Sequence, residues 1–354
     1  MNGLVETLRT LVDIRSETGS EAQICTYLEE RLAASGLSRK RIGNSLVVGR
    51  PQPGEAFVTL YGHIDTVPHQ GQPAAYIEDG VLFGLGSSDM KAGVAVMIHL
   101  LEDGDVAGGG CSLVAVFYDR EEGPAAENGL IRVLAEADWL TKSEFGVVLE
   151  PTDLHLELGC QGVVNATVSF LGKSAHSARP WLGENAVTRG GAWLESLHRR
   201  EPNDVEHGGL IFREVFSITT AHGGVSRNVV PPRFDLNLNY RFPPTLTVDE
   251  AVARLRGIAA PADEVEIVDT APAAPVPAGN PYLDKLAEVT SAEPRPKQAW
   301  TDVARLGKAG VPAVNFGPGL TALAHQVEES VPLHNLAAGF STLKRFLSGQ
   351  VSPA

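Results

Sequence analysis

The stretch FVTLYGHID, residues 57–65, sets the fold prediction because it is an apolar run that ends abruptly in His63 and Asp65. Short apolar runs of this kind are typical of strands that are buried on both faces of a sheet. They occur at Ser45–Val48, Phe57–Tyr61, Leu113–Tyr118 and Phe145–Leu149. Helical patterns lie between them, at Met90–Leu101 and Leu130–Ala137. Strands that alternate with helices predict an α/β domain.

The pattern changes after Gly159. In RFDLNLNYRF, residues 233–242, apolar and polar side chains alternate strictly, which predicts an antiparallel strand with one face in water. Strands are also predicted at Val163–Leu171 and Val215–Thr220, and a helix at Asn185–Leu197. The sequence therefore predicts a separate α+β unit over residues 161–271, inserted between catalytic segments 1–160 and 272–354.

Polar residues mark several predicted element boundaries. Ser20 with Gln23, and Thr247 with Glu250, have the spacing of a capping box at a helix start. Asn280–Pro281 predicts an N-cap and first turn after the Pro- and Ala-rich linker Thr270–Gly279. The α/β pattern then returns, with a buried strand at Val311–Phe316 and a last helix at Asn335–Leu347.

Composition and charge exclude several classes of protein. The chain has 354 residues, 29 basic and 43 acidic side chains and a net charge of −14, which argues against nucleic acid or an anionic membrane as partner. Its longest nearly unbroken apolar run, 94–101, is too short to span a bilayer, and residues 1–16 lack a basic start and a cleavage site. Cys25, Cys111 and Cys160 form no disulfide framework. A soluble, cytoplasmic protein is expected.

Candidate metal ligands follow the predicted strands. His63 follows the first quoted strand, and Asp65 stands where a carboxylate could orient the second ring nitrogen of a ligating histidine. Asp89 lies in the glycine-rich turn GLGSSDMKAG, where a helix cap is the alternative interpretation. A dinucleotide loop is rejected there, because a carboxylate in the third glycine position would repel a pyrophosphate.

Acidic residues end two further strands. Asp119, Glu121 and Glu122 follow the strand 113–118, with Arg120 as the compensating charge in the run. Adjacent carboxylates repel one another unless a cation or a proton lies among them, although acidic loop tips are also common on an acidic protein. Glu150 ends the strand 145–149, where a simple turn before Pro151 is the alternative.

The combination of these residues is more informative than any one of them. His63, Asp89, Glu122 and Glu150 all lie at strand exits, the edge where open α/β sheets bind ligands, and His325 can return to that edge. Two histidines and three carboxylates suit two zinc-like ions that share one carboxylate. The sequence contains neither HExxH nor GxSxG, so a thermolysin-type site and a serine hydrolase are not expected.

At this point the sequence resembles the dizinc aminoacylase, carboxypeptidase and desuccinylase family of metallopeptidases. The motifs that carry the resemblance are GHIDTVP (62–68), GLGSSDMKAG (84–93), the Glu121–Glu122 pair, LEPT (149–152), GGVSRNVVP (223–231) and His325. Three further strings are similar to those of succinyl-diaminopimelate desuccinylases, especially the actinobacterial-type branch: GCQG (159–162), AHSARPWLGENA (175–186) and WTDVARL (300–306). YDREEG and HQVEES depart from the better-known desuccinylases, and neither departure changes a ligand.

The resemblance implies a phosphorylase/hydrolase-like α/β catalytic domain with an inserted α+β, ferredoxin-like domain that acts as lid and dimerisation domain. It implies two zinc ions, or cobalt, with His63 and Glu150 on one ion, Glu122 and His325 on the other, and Asp89 on both. Asp65 would hold His63, and Glu121 would be the general base. The peptide bond after Asp89 would be cis.

For the inserted domain, the resemblance implies that His176 stabilises the oxyanion in the partner subunit of a homodimer. Arg179, Asn228, Arg241 and Thr301 would contact a small, anionic acylated amino acid, with a solvent-facing position as the alternative for Arg241. The implied reaction removes succinate from N-succinyl-LL-2,6-diaminopimelate in lysine and diaminopimelate biosynthesis. Acetylornithine deacetylase, another acyl-amino-acid or dipeptide hydrolase, and a non-catalytic binding protein on the same fold stay open as alternatives.

Overall fold

A computed structural model describes residues 2–109, 111–290 and 292–349. The helices in these residues are α1 (Asn2–Asp13), α2 (Ala22–Arg31), α3 (Ala92–Leu101), α4 (Gly104–Ala107), α5 (Gly129–Glu136), α6 (Ala186–Arg189), α7 (Gly191–His198), α8 (Val248–Ile258), α9 (Pro281–Thr290), α10 (Val303–Lys308) and α11 (Leu333–Ser348). The strands are β1 (Arg39–Ile42), β2 (Ser45–Val48), β3 (Phe57–His63), β4 (Tyr76–Glu78), β5 (Val81–Phe83), β6 (Ser112–Tyr118), β7 (Phe145–Val148), β8 (Glu157–Leu158), β9 (Gly162–Leu171), β10 (Asn203–His207), β11 (Leu210–Gly223), β12 (Arg233–Phe242), β13 (Glu264–Ala271), β14 (Arg295–Pro296), β15 (Ala313–Asn315) and β16 (Ser330–Pro332).

The chain divides into two compact units. Unit 1 comprises Met1–Leu158, Pro277–Arg295 and Leu306–Ala354, and unit 2 comprises Gly159–Val276 and Pro296–Arg305. The short segment Pro296–Arg305 therefore groups with unit 2, whereas the sequence prediction assigned all of 272–354 to the catalytic domain. The predicted boundaries at 161 and 271 stay predictions. The predicted α/β class with a separate antiparallel α+β part is confirmed.

The central strands of unit 1 bring their carboxyl ends to one edge. In the order β1-β2-β6-β3-β7-β15-β8-β14, strands β6, β3, β7 and β15 run parallel. His63 pairs with Tyr118, and Tyr61 pairs with Val148, so β3, β6 and β7 end at nearly the same level. Residues that follow these strands are consequently neighbours in space although they are distant in sequence.

Helix α3 is the central helix of unit 1. All of its residues except His99 are buried, as expected for a helix that is apolar on every side. It packs against α1, α11 and the strands β3 and β6. Gly93 allows a close approach to the exit of β7, because a Cβ atom there would lie 2.5 Å from the carbonyl oxygen of Leu149.

Unit 2 is built on the antiparallel sheet β10-β11-β12-β9-β13. The alternation predicted for residues 233–242 is confirmed, since every second residue of β12 is buried from Phe234 to Phe242. Leu238 and Tyr240 in β12 lie in one core with Val168, Trp193 and Leu255. Helices α6 and α8 contact this sheet, which places the core on the face that they cover.

Several local predictions need correction. The capping box at Ser20 and Gln23 is wrong, because α2 begins after Glu21, and the Glu21 carboxylate accepts a hydrogen bond from the backbone N–H of Gly19 instead. The box formed by Thr247 and Glu250 is confirmed. The single helix predicted at 185–197 is two helices, α6 and α7, which meet at Gly190. The predicted linker begins later, since Thr270 and Ala271 belong to β13.

All three cysteines lie within the described residues. Cys25 and Cys160 are buried, Cys111 is partly exposed, and all three thiols are free.

No helix within 2–109, 111–290 or 292–349 combines the length and the hydropathy that crossing a bilayer demands.

The core of unit 2 leads to a stability prediction. Leu238→Ala removes a fully buried side chain from β12 and should lower the free energy of unfolding by about 2–5 kcal/mol, since it leaves a cavity. Val268→Ala on β13 is the matched control, because Val268 is 60% exposed and should cost far less. Urea unfolding measures both. Equal losses for the two variants would contradict this position of the core.

Candidate metal centre

Two groups of potential metal ligands share one carboxylate in unit 1. Asp89 lies with His63 and Glu150 in one group, and with Glu122 and His325 in the other; within each group, one ligand atom per residue lies within 4.8 Å of the others. Nε2 of His63 is 3.1 Å from Oδ1 of Asp89, and Nε2 of His325 is 3.5 Å from Oδ2. The two oxygens of Asp89 therefore face different histidines.

Asp65 has wider contacts than the sequence suggested. Nδ1 of His63 lies 3.1 Å from the backbone oxygen of Asp65 and 3.5 Å from its Oδ1. The same carboxylate accepts hydrogen bonds from the backbone N–H groups of Glu121 and Glu122, each at 3.0 Å, and from Oγ1 of Thr18 at 2.8 Å. Asp65 thus joins the turn of the glutamate pair to the exit of β3.

The acidic run after β6 divides in two directions. Asp119 is buried and points away from the ligand groups, because it accepts hydrogen bonds from Arg132 at 2.7 Å and from Ser45 at 2.5 Å. The charge of Asp119 is therefore compensated by Arg132 and not by Arg120. Arg120 itself has a left-handed φ of 61°, an uncommon conformation for a residue other than glycine. Glu121 and Glu122 follow this turn, and both lie in a potential ligand group with His63.

Asp89 lies in an irregular turn and not at a helix cap. A π-type turn occupies Ser87–Lys91, with non-helical dihedral angles at Asp89 and Met90, and α3 begins only at Ala92. The peptide bond between Asp89 and Met90 is cis, as the resemblance implies. The alternative of an N-cap role for Asp89 is wrong, because its carboxylate faces His63 and His325 rather than the helix.

Of the other two predicted ligands, Glu150 lies at the exit of β7 and His325 lies in the segment between β15 and β16. Glu150 is buried, and its backbone lies against Gly317, where a Cβ atom would come within 2.3 Å of the Glu150 carbonyl oxygen. His325 has a left-handed φ of 63°, and its side chain is 54% exposed. Nε2 of His325 lies 2.9 Å from Oε1 of Glu122. The structure thus brings together all five residues that the sequence singled out as ligands.

Hydrogen bonds between carboxylates and imidazoles shift the pKa values of the residues in the cluster. Burial disfavours the charged form of His63, but hydrogen bonds to Asp65 and Asp89 outweigh it and raise the pKa of this ring well above its usual value. Hydrogen bonds to Asp89 and Glu122 raise the pKa of His325 to about 10. Burial opposes the charge of Asp89, yet His325 and His63 hold the pKa of this carboxyl well below its usual range.

The residues present fit divalent cations. Carboxylate oxygens and imidazole nitrogens are the ligands that zinc and similar ions bind, and the two groups offer both types. Three carboxylates this close repel one another, so positive charge among them is required. Divalent ions bound among these residues would supply that charge.

The structure places the predicted substrate residues in unit 2. His176, Arg179 and Asn228 lie on one exposed tip, where the backbone N–H of Ser177 donates to the oxygen of Asn228 at 2.9 Å, and the N–H of Arg179 donates to the oxygen of His176 at 2.8 Å. Nδ1 of His176 accepts a hydrogen bond from the N–H of Ala178 at 3.1 Å.

Arg241 and Thr301 lie elsewhere in unit 2. Arg241 is half-buried on β12, and burial lowers the pKa of its guanidinium. Thr301 is buried, and its Oγ1 has no hydrogen-bond partner among the described residues, while its backbone oxygen contacts Sγ of Cys160 at 3.8 Å. Arg241 lies on the partly exposed face of β12, opposite the buried residues, so the alternative of a solvent-facing strand residue stays open.

Sequence reasoning missed Glu329. The segment HQVEES was expected to leave the ligands untouched, but the buried carboxylate of Glu329 accepts a hydrogen bond from the backbone N–H of Asp89 at 2.8 Å. Burial raises the pKa of Glu329 to about 7 even though three backbone N–H groups stabilise its charge. The sequence gives no signal that separates the two, since Glu329 is buried and directly precedes β16 while the neighbouring Glu328 is exposed only in the folded chain.

Comparison with known proteins places this geometry in a family context. The sequence profile of "Peptidase family M20/M25/M40" matches residues 59–349. A candidate succinyl-diaminopimelate desuccinylase, DapE, of Mycobacterium tuberculosis is 38% identical over 349 residues, which cover 98% of each chain. A succinyl-diaminopimelate desuccinylase of Corynebacterium glutamicum is 34% identical over 356 residues, which cover 96% of this chain and 94% of the relative.

Solved structures share the fold at lower sequence identity. Aminopeptidase PepT from Bacillus cereus superposes with a TM-score of 0.79 at 19% identity, over 98% of both chains. The YxeP protein of Bacillus subtilis, a dinuclear metal-binding peptidase of the M20 family, superposes with a TM-score of 0.69 at 17% identity, over 98% of this chain and 96% of that one.

Asp65 provides a test of how the centre is held. In Asp65→Asn, the side chain keeps one acceptor oxygen, but its NH2 group faces one of the backbone N–H donors of Glu121 and Glu122. This substitution should therefore lower kcat/KM by about tenfold to a hundredfold. Thr18→Val removes only one of the donors and should have a smaller effect. Steady-state kinetics with the cation-loaded protein measure both. If Asp65→Asn is as active as Thr18→Val, the backbone contacts of Asp65 are unimportant.

Proposed function

This chain belongs to peptidase family M20/M25/M40, and on that premise we propose that it hydrolyses the amide of N-succinyl-LL-2,6-diaminopimelate and releases succinate. The observation that carries the chemistry is the shared carboxylate of Asp89, which lies in both groups of potential ligands. The names of the relatives from Mycobacterium and Corynebacterium support the substrate.

The proposed centre holds two zinc ions, with cobalt as the other candidate metal. His63 and Glu150 would bind one ion, Glu122 and His325 the other, and Asp89 both. When bound, such ions polarise a carbonyl oxygen and make water acidic enough to lose a proton near neutral pH. The remaining steps depend on side chains of this chain.

Glu121 is the proposed general base. Its carboxylate belongs to the potential ligand group with His63 and Glu122, while its backbone is fixed by Asp65. From this position it would accept a proton from the attacking water and deliver that proton to the leaving amine. One carboxyl group thereby serves both proton transfers, and the amide bond breaks as the amine is protonated.

His176 is the proposed oxyanion donor, acting across a homodimer. Its ring is exposed at the tip of unit 2, so it is free to reach a second molecule. The hydrogen bond from the N–H of Ala178 requires a lone pair on Nδ1, which leaves Nε2 as the N–H donor of the neutral ring. A donor at the developing oxyanion typically lowers the activation free energy by about 3–4 kcal/mol.

Substrate selection is assigned to unit 2. The substrate is anionic and the chain has a net charge of −14, so attraction must come from local cations. Arg179 is exposed beside His176 and offers a bidentate fit to a carboxylate. Further proposed contacts are Asn228, Arg241 and Thr301, of which Thr301 carries a buried hydroxyl that has no partner within residues 2–109, 111–290 and 292–349.

The proposed reaction belongs to lysine and diaminopimelate biosynthesis, and we place the enzyme in the cytoplasm. Three free thiols, two of them buried, fit a reducing compartment.

A substrate panel tests the proposed reaction. The cation-loaded protein should hydrolyse N-succinyl-LL-2,6-diaminopimelate with a kcat/KM at least about tenfold above that for N-acetylornithine or dipeptides. Glu121→Gln is the control, since it should keep cation binding and lose turnover. A better rate on acetyl or peptide substrates would reassign the chemistry within the family. No hydrolysis of any acylated amino acid would contradict the proposal.

Mixed dimers test the role of His176. Glu121→Gln and His176→Ala are each expected to have low activity, but co-expression should produce dimers in which one active site receives both intact residues. Random pairing gives about a quarter of wild-type active sites. Activity is measured on the mixture and on each variant alone. A mixture no more active than the sum of its parts would exclude His176 as a donor to the partner subunit.

A further inference from the structure

A buried carboxylate outside the proposed ligand set contacts the loop that carries Asp89. Glu329 is 1% exposed and accepts three backbone hydrogen bonds, from the N–H groups of Gly86 at 2.8 Å, Ser88 at 2.9 Å and Asp89 at 2.8 Å. Oε1 takes the bonds from Ser88 and Asp89, and Oε2 takes the bond from Gly86. One side chain therefore serves three donors of a single turn.

Further hydrogen bonds join the same two segments. The backbone oxygen of Glu329 accepts from the N–H of Gly84 at 3.0 Å. Oγ of Ser88 donates to the oxygen of Ser330 at 2.7 Å and accepts from the N–H of Leu320 at 2.9 Å. Strand β16 then pairs with β5, which leads into the turn. The turn 84–89 and the segment 320–330 form one hydrogen-bonded block.

This block contains two of the proposed ligands. Asp89 lies at the end of the turn, and His325 lies in the segment that ends at Glu329. Nε2 of His325 is 3.5 Å from Oδ2 of Asp89, so any displacement of one segment against the other would alter this distance. Glu329 fixes the backbone N–H of Asp89, and this sets the backbone position from which the Asp89 side chain extends.

The hydrogen bonds to Glu329 are of the strong kind. In the ionised form of Glu329 they are charge-assisted, since a carboxylate accepts from backbone N–H groups, and they are shielded from water. A turn with irregular dihedral angles at Asp89 and Met90 cannot satisfy these N–H groups by a regular helix. An outside acceptor is therefore needed, and Glu329 is the side chain that supplies it.

We propose that Glu329 is a positioning residue, which holds Asp89 at the midpoint of the metal centre and keeps the His325 segment in register with it. Glu329 acts through the backbone and contacts neither the cations nor the substrate. This inference rests on the proposed dinuclear centre, but it does not depend on which acyl group the enzyme removes.

The test is Glu329→Gln. The amide can keep the acceptor oxygen toward Ser88 and Asp89, but its NH2 group would then face the N–H of Gly86. Cobalt affinity, followed by the visible absorption of the bound ion, should fall about tenfold to a hundredfold, with a changed spectrum. In the cation-loaded enzyme, kcat should fall while KM stays within about twofold, because substrate contacts are untouched.

Two further variants make the test specific. Glu328→Gln is the matched control, since Glu328 is adjacent, carries the same charge and is exposed; it should bind cobalt like wild type. Glu329→Asp keeps the charge but is one methylene too short to reach all three donors, and it gives the same comparison if the Gln variant does not fold. Hydrogen exchange of the peptide 84–93 should be faster in either Glu329 variant.

Each outcome has a defined meaning. If Glu329→Gln unfolds at a lower temperature but keeps wild-type cobalt affinity and spectrum, Glu329 is merely structural and the inference is wrong. If wild type binds cobalt but does not hydrolyse succinyl substrates, the proposed substrate fails and the Glu329 comparison still decides. If wild type binds no divalent cation, both the proposed centre and this inference are overturned.

Discussion

The structure depends on one electrostatic constraint, which is the presence of several carboxylates within a few ångströms of one another at a sheet edge. Asp89, Glu122 and Glu150 repel one another there unless positive charge lies among them. The imidazoles of His63 and His325 lie against different oxygens of Asp89 and meet this need when they are protonated. Divalent cations would meet it more strongly, since they carry twice the charge and accept the same oxygen and nitrogen donors. The cluster is costly without such partners, which is why it indicates function.

Two other carboxylates give the centre its geometry. Asp65 accepts hydrogen bonds from the backbone N–H groups of Glu121 and Glu122, and Glu329 accepts them from the N–H groups of the Asp89 turn. Both are buried, so their hydrogen bonds do not compete with water. Each links a ligand-bearing turn to a segment that is distant in sequence. The ligands are thereby fixed through their backbones, and their side chains remain available for cations.

The sequence predicted the ligand set more fully than its surroundings. Buried parallel strands end at one edge, so residues that follow them converge whatever the connections between them, and His63, Glu122 and Glu150 could be predicted on that basis. The direction of each carboxylate could not be predicted. Asp119 turns to Arg132 and Ser45, whereas Glu121 and Glu122, beyond the left-handed Arg120, turn to His63. Adjacent positions of one acidic run differ because one backbone rotation reverses the side-chain direction.

By itself, the sequence determined the two fold types, because apolar periodicity is a property of the chain in order, and its motifs carried the resemblance to the family and named the candidate metal ligands. Only the tertiary structure decided which acidic residues lie together in potential ligand groups, which accept backbone hydrogen bonds and which pair with arginine. Glu328 and Glu329 are identical neighbours in the sequence, yet one is exposed and the other accepts three backbone hydrogen bonds. That difference arises from packing between segments far apart in the chain, which no local pattern records.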